Sequence, residues 1–512
     1  MQELTNDILA SSQLSAIDHS FNSSTIQDEL NILSGISYSQ LRGYSGNRTH
    51  MRVYGRDNLF DGAMGDFYID VNDEDSNDDD GIIIVDKLSR RWKRHYSGNV
   101  NAAWYGVMTN SDITEKLQRA IDTRKNVDIP AGNYTSTDTF YRYSGQIISG
   151  AGIPERSIAS VDAITTIEFV NDVDGFSNVK NIALGGGIRN LYLIAPNGST
   201  KTGILDGIIG ELGGRSQSIA CLHENLFISN FYNGVQIAGW CWETTLRRIH
   251  VDGFTDYGIA VYDASNAVSI DNCSAISSAE KPQGARCGFL FSGGACITLT
   301  TPRSENNRIG FIAEKEARVN LVSPYSEGNR DIDFDLHDDF TSMSIINAVA
   351  LHTNDNVITT AIFRVNQTCG IHSSLVVNGI KVKVSKGEPG LNNELKYFYV
   401  GESDVYASIQ SIDWWGDGKL WASFSGRFSP TEMTFVNLPG VIFRRYEHFL
   451  STSTFYGYSG SIAPTNPDYW ILKNYDGSSI DLRYPGSRVI CNIYDADVDY
   501  WIWTGNEWKP KG

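Results

Sequence analysis

Residues 301–310 read TPRSENNRIG and residues 323–332 read SPYSEGNRDI. Pro, Ser, Glu, Asn and Arg fall in register 22 residues apart (323 − 301). A chain echoes itself at such a distance when it is built of stacked units. The echo belongs to a longer series in which two apolar residues flank one other residue. Its members are Leu191/Leu193, Leu226/Ile228, Ile249/Val251, Val268/Ile270, Ile297/Leu299, Val319/Leu321 and Met343/Ile345. The steps between first members are 35, 23, 19, 29, 22 and 24. Each pair places both side chains on one face of a short strand.

A second strand follows in several units, often opened by Gly: Gly234-Val235-x-Ile237, Gly258-Ile259-x-Val261, Gly288-Phe289-x-Phe291 and Asp331-Ile332-x-Phe334. Turn residues such as Asn230, Gly253, Asn306 and Gly328 lie between, and they tolerate the positive φ of sharp corners. Strands this short cannot bury an apolar face alone. Coiling the chain so that each unit stacks on the last joins the inward Val, Ile, Leu and Phe into columns, which predicts an all-β fold, a parallel β-helix. Unequal steps fit it, because extra residues loop out at corners, as over 200–220 and 277–287. A propeller needs about 40–45 residues per blade, and the L-x-x-L-x-L of leucine-rich repeats is missing.

The whole composition agrees. Over 512 residues there are 48 Gly, aromatics reach 11% and charged residues only 20%, which suits strands and tight turns better than a helical bundle. The net charge of −18 argues against nucleic acid as a partner. Seven Cys without a CxxC pair favour neither a disulfide framework nor a zinc site, and buried thiols are expected. MQELTNDILASSQ at the N-terminus has no basic or apolar run of the secretory kind, and no segment is long and apolar enough for a membrane span. No cofactor or metal is expected.

Upstream of the repeats stand NAAWYGV (101–107), SDITEKLQRAID (111–122) and VDIPAGNYT (127–135). The middle stretch predicts a helix with Ile113, Leu117, Ala120 and Ile121 on one face and Ser111 as N-cap. This order resembles the entry to pectate-lyase-type β-helices: a strand, a capping helix, then a strand with Pro-Ala-Gly. Residues 58–98, with NLFDGAMGDFYID and GIIIVDKLSRRWKRHYSG, resemble the small β module that precedes the coil in tailspikes of bacteriophages. PGSRVICNIYDADVDYWIWTGNEWKPKG is similar to the strand-rich C-terminal elements of phage tail proteins. Together they resemble a tailspike depolymerase of the right-handed parallel β-helix family. The resemblance implies a homotrimer on the virion, assembled in the host cytoplasm and joined to a phage tail or baseplate protein through its N-terminus. It implies bacterial surface polysaccharide, capsule or O-antigen, as substrate.

The expected organisation is an attachment segment over 1–47, the small β module over 48–98 and the coil over 100–370. VVNGIKVKVSKG and KLWASFSGRF alternate like antiparallel strands, so an antiparallel β-sandwich is expected over 371–485, with a strand pair over 486–512. The acidic run DVNDEDSNDDDG (70–81) misses the calcium-loop spacing by one residue, which leaves a solvated hairpin turn as the main reading and calcium as the other.

Hydrolysis of a glycosidic bond takes two carboxyls, roughly 5–5.5 Å apart for retention and about 6.5–9.5 Å for inversion. Neighbouring coils lie about 4.8 Å apart, so carboxyls stacked on one wall meet these distances. Glu305 and Glu327 each follow their first anchor by eight residues and should stack. The alternative is a corner motif with the Glu bonded to backbone amides. A second pair is Glu243 with Asp263. Glu243 lies in GWCWETTLRR beside Trp240 and Trp242, which suit sugar rings, and before Arg247 and Arg248, which suit an acidic sugar's carboxylate; burial of the Trp residues with a Glu–Arg surface pair is the other reading. His223 and Tyr325 complete the substrate-binding candidates, with a structural histidine as the other reading of His223. A lyase on the same fold would use Arg247 or Arg248 as neutraliser and Lys281 or His250 as base. A non-catalytic receptor-binding spike is the third reading.

Overall fold

The computed structural model describes residues 35–154, 163–180, 183–211, 217–277, 285–352, 361–370 and 372–384, and beyond them a set of strands between 397 and 511. The chain divides into two compact units, 1–108 and 109–512.

In the first unit, Ile36–Ser37, His50–Gly55, Gly65–Ile69, Arg91–His95 and Ile83–Val85 form one sheet in that order. Alternation decides its faces: Met51, Val53, Phe67, Ile84 and Trp92 point into a core closed by Ile36, Tyr38 and Leu41. The last two lie on the helix Tyr38–Arg42, whose Ser37 and Gln40 form a capping box. The module thus begins at Ile36 rather than at 48, because residues 36–42 supply a strand and the helix that covers its core. The acidic run is not a solvated turn. Asp78 and Asp80 bind Arg42, Asp80 also binds Arg56, and Asp70 and Asp73 bind Lys93. Asp79 accepts backbone N–H groups from Gly81, Ile82 and Ile83.

The second unit opens with the helix Thr114–Asp122, where Ile113, Leu117, Ala120 and Ile121 are all buried. Ser111 is not its cap: the Asp112 carboxylate accepts from the Thr114 N–H at 2.9 Å instead. The chain then winds as a parallel β-helix. Each coil runs through a first strand, a bend, a second strand, a corner and a third strand.

In the first and second strands the inward columns run Leu246, Ile270, Leu299, Leu321 and Ile345 before the bend, and Ile228, Val251, Ala275, Ser304 and Ser326 beyond it. Two columns were therefore merged in the sequence series. Val268/Ile270 stacks on the strand before the bend, whereas Ile249/Val251 lies after it; the step of 19 marks the switch, and the true coil there is 24 residues (270 − 246). The third strands stack as expected. Val235, Ile259, Phe289, Phe311, Phe334 and Phe363 form one column. Its last four rings lie face to face, 5.0, 5.2 and 5.3 Å apart. Burial of each ring contributes about 1.5–3 kcal/mol. The Gly that opens each third strand has a steric cause: a Cβ on Gly258 would stand 2.8 Å from the Gly288 carbonyl oxygen and 2.4 Å from the Ala275 methyl.

The bend is a column of left-handed residues, one per coil: Asn190, Asn225, Arg248, Asn272, Thr301, Ser323, Asn347 and Gly379. Asn suits this conformation, and a β-branched residue does not. Thr301, at φ 48°, is held there against its preference. Thr301→Asn is expected to stabilise the chain by about 1 kcal/mol, read as a higher midpoint in denaturant unfolding.

The coil does not stop at 370. Ser342–His352, Ser374–Val384, Tyr406–Trp415, Glu432–Val436, Thr454–Tyr458 and Arg488–Cys491 pair in parallel, each on the one before. The antiparallel sandwich expected over 371–485 is corrected accordingly. Asn378-Gly379, within VVNGIKVKVSKG, is the bend of another coil, with Gly379 at φ 83° above Asn347. Among the described residues beyond 370, antiparallel pairing joins Ile471–Lys473 to Ser479–Asp481, and Arg488–Cys491 through Tyr500–Trp503 to Trp508–Lys511.

One part of the interior is polar. Arg142, Asp206, Ser218 and His223 are fully buried. Arg142 Nη2 donates to both Asp206 oxygens at 2.9 and 2.7 Å, Ser218 Oγ donates to Asp206 at 2.6 Å, and His223 Nε2 lies 2.9 Å from Asp206 Oδ2. Cys221, Cys241, Cys273, Cys287 and Cys369 are buried free thiols, whereas Cys296 is exposed.

Candidate functional site

The echo that opened the reading has two layers. Ser304, Asn307, Ser326 and Asn329 point inward, are fully buried and bond to one another: Asn307 Nδ2 donates to Ser304 Oγ at 2.9 Å and Asn329 Nδ2 to Ser326 Oγ at 2.6 Å. Glu305 and Glu327 point the other way and stand opposite each other on adjacent coils. Their carboxylates are held by side-chain partners rather than by the backbone amides of a corner motif. Arg303 donates to Glu305 from two residues away, and the Tyr325 hydroxyl donates to Glu327 at 2.6 Å. Arg303 and Tyr325 are themselves stacked in register, with the guanidinium 5.2 Å from the ring centre. Burial and the Glu327 carboxylate push the Tyr325 phenol up to about 12, so it stays a hydrogen-bond donor at neutral pH. Glu305 is 8% exposed and Glu327 is half-buried.

Register adds a further carboxylate, Asp252, to this wall. Asp252, Ile276, Glu305 and Glu327 form one outer column, so Asp252 lies two coils from Glu305. Its signal was its place directly after the inward Val251, as Glu305 follows Ser304. The neighbouring outer column runs Tyr192, Phe227, His250, Ser274, Arg303 and Tyr325. Tyr192 and Phe227 meet edge-on at 4.9 Å, and Phe227 meets His250 at 4.5 Å. Tyr192, Phe227 and His250 thus form an aromatic stripe on three consecutive coils that ends beside Asp252, and Ser274 and Arg303 separate it from Tyr325.

The other candidates fall elsewhere. Trp240 and Trp242 are stacked 5.9 Å apart and are 37% and 43% exposed, so they are not buried packing residues. They lie at the corner before the first strand, not at the far end of the second strand with Glu305. Glu243 and Asp263 are not a pair. Trp242 stands opposite Asn266, which places Glu243 over Ala267 and Ala220. Asp263 lies in the strand Tyr257–Asn266, and its carboxylate accepts from the Gly210 and Gly239 N–H groups at 2.8 and 3.2 Å. It ties two earlier coils together. His223 belongs to the buried polar cluster and is removed from any substrate surface. Arg247 binds Glu224. Arg248 Nη2 lies 4.0 Å from Glu224 Oε2, and Arg189 Nη1 lies 4.0 Å from its other oxygen. Lys281 lies outside the described residues. Among the described residues no cluster of His, Cys, Asp and Glu suits a metal ion.

This architecture has known counterparts. The enzymatically active domain of tailspike protein 2 of bacteriophage CBA120 is similar with a TM-score of 0.56 at 12% identity, over 76% of this chain and 59% of that one. The gp42 tailspike of Acinetobacter phage vb_AbaP_AS12 gives 0.51 at 11% identity, over 88% and 81%. Tailspike gp49 of Acinetobacter baumannii bacteriophage Fri1, a capsular polysaccharide depolymerase, gives 0.50 at 12%, over 75% and 74%. At such identities the likeness is one of fold: a parallel β-helix of the tailspike type. Residues 36–97 match the phage tail protein small four-stranded beta-sheet domain, so in this chain such a module precedes a parallel β-helix, the order the resemblance implied. No curated protein matches the chain.

Proposed function

We propose that the chain is a bacteriophage tailspike that binds and depolymerises a bacterial surface polysaccharide, capsule or O-antigen, by endo-acting hydrolysis. The observation that carries the reading is the register of Glu305 with Glu327 on the outer wall, one coil apart, with Arg303 and Tyr325 beside them. That spacing, about 4.8 Å, suits a retaining mechanism. In this pair Glu305, held against Arg303, is assigned as the nucleophile, and Glu327, opposite it on the next coil and bonded to the Tyr325 hydroxyl, as the acid/base partner. The module at 36–97 supports a place on the virion tail, with attachment through the N-terminal end, and the tailspike-type coil supports a homotrimer assembled in the host cytoplasm.

Incubation with purified capsules and O-antigens from a strain panel tests this. New reducing ends without a new ultraviolet band are expected. A band from unsaturated uronates, with equal reducing ends, favours a lyase, for which Arg247, Arg248 and His250 on the one strand Thr245–Asp252 are the available groups. Binding without cleavage of any capsule leaves a receptor-binding spike. The exposed Trp pair is read as a sugar platform outside the cleavage point. Trp240→Ala and Trp242→Ala are expected to weaken capsule binding roughly threefold to tenfold with little change in kcat, measured by titration and by rates at saturating capsule.

A further inference from the structure

We propose that the bend of three consecutive coils is a subsite for a carboxylate-bearing sugar, so that the polysaccharide this chain takes is an acidic one. The inference rests on the depolymerase reading and adds to it the class of substrate.

Arg189, Glu224, Arg247 and Asp271 form one outer column across four coils. Arg248 follows Arg247, and the three guanidiniums converge on the Glu224 carboxylate. Even counting Asp271, positive charge is in excess, on a chain whose net charge is −18. Two further observations point to a ligand. Among the described residues, Arg189 Nε is a buried donor with no hydrogen-bond partner, which is costly unless something else accepts it. Arg248 occupies the left-handed bend at φ 51°, between Asn225 and Asn272 in the same column. A long side chain is held where Asn fits better, and such strain persists where the side chain has a task.

The same three strands carry the aromatic stripe. Tyr192, Phe227 and His250 each lie three residues beyond Arg189, Glu224 and Arg247 and are half-buried. A sugar ring packed on that stripe brings a ring carboxylate toward the arginines, where guanidiniums bind it in paired hydrogen bonds. Glu224 shows which group the cluster accepts: a carboxylate already sits there, as the protein's own placeholder. A phosphate or sulfate ester carries the same charge in another shape and is the competing source.

The test uses the full chain and a capsule that it binds, before and after reduction of its carboxyl groups to alcohols. Reduction is expected to weaken binding at least tenfold. Arg189→Gln and Arg247→Gln weaken binding of the native capsule about tenfold and leave the reduced one unchanged. Glu224→Gln tightens binding of the native capsule, because the internal competitor is gone. Arg248→Asn weakens native binding about tenfold while its unfolding midpoint rises, which a purely structural arginine would not do. Equal binding after reduction, or arginine variants that weaken both forms alike, overturns the proposal alone. So does a bound capsule whose affinity depends on phosphate or sulfate groups. A chain that binds no capsule takes down the depolymerase reading as well.

Discussion

Glu305→Gln and Glu327→Gln are each expected to lower the rate of polysaccharide cleavage about a hundred- to ten-thousand-fold, with capsule binding changed little. Each swap keeps the shape and removes the nucleophile or the acid. Both residues face outward on adjacent coils, and each is steadied by its neighbour two residues earlier, Arg303 or Tyr325. The side chains that support the corner, Ser304, Asn307, Ser326 and Asn329, are separate from them, so the fold should survive. Reducing-end release at saturating capsule, with unfolding midpoints alongside, reads the result. Asp252→Asn divides two geometries. If the one-coil pair carries the reaction, this variant cuts at close to the parental rate. If it is as slow as Glu305→Gln, the working pair is two coils apart, and the product should show inversion at the anomeric carbon. Parental rates in both Glu variants would end the assignment.

The second large effect is on stability. Asp206→Asn is expected to destabilise the coil by about 3–5 kcal/mol at neutral pH, because it leaves the Arg142 guanidinium charged, buried and unmatched. Burial alone would push the Asp206 carboxyl up. Arg142 and His223 outweigh that and hold it well below the usual carboxylate range. A depressed folded-state pKa makes the sign definite. The stabilisation is fully present above the unfolded value of about 3.9 and is lost as pH falls below it toward the folded value. Parent and variant should therefore differ most near pH 7 and converge in acid, measured by denaturant unfolding across pH. The double variant Arg142→Met with Asp206→Leu should cost less than the two single changes together, since no unmatched charge remains. A constant difference down to strong acid would show that Asp206 is not ionised in the folded chain.

Much of the coil was legible in the sequence because its inward residues alternate and its corners announce themselves. Glu305 and Glu327 were found because the echo spans one whole coil, 22 residues, with nothing inserted. The pairing of Glu243 with Asp263 failed for a related reason. Counting from strand anchors cannot show that the third strand runs on past Val261 to Asn266 before the corner. His223, a substrate-binding candidate with a structural histidine as the other reading, stands opposite Leu246 on the inward side, which only register shows. Past residue 370 the coils lengthen to 32 residues (377 − 345 and 409 − 377), which hides the repeat. Parallel and antiparallel strands share one alternation, so the pattern of VVNGIKVKVSKG does not tell them apart.

The division of labour within the echo has an evolutionary consequence. Ser304 and Asn307 brace the scaffold from inside, and Arg303 and Glu305 meet whatever lies outside. The two sets sit at neighbouring letters of one short word. On the proposed reading, a single substitution at an outward letter can silence or alter the chemistry of the wall, with the inherited framework left untouched.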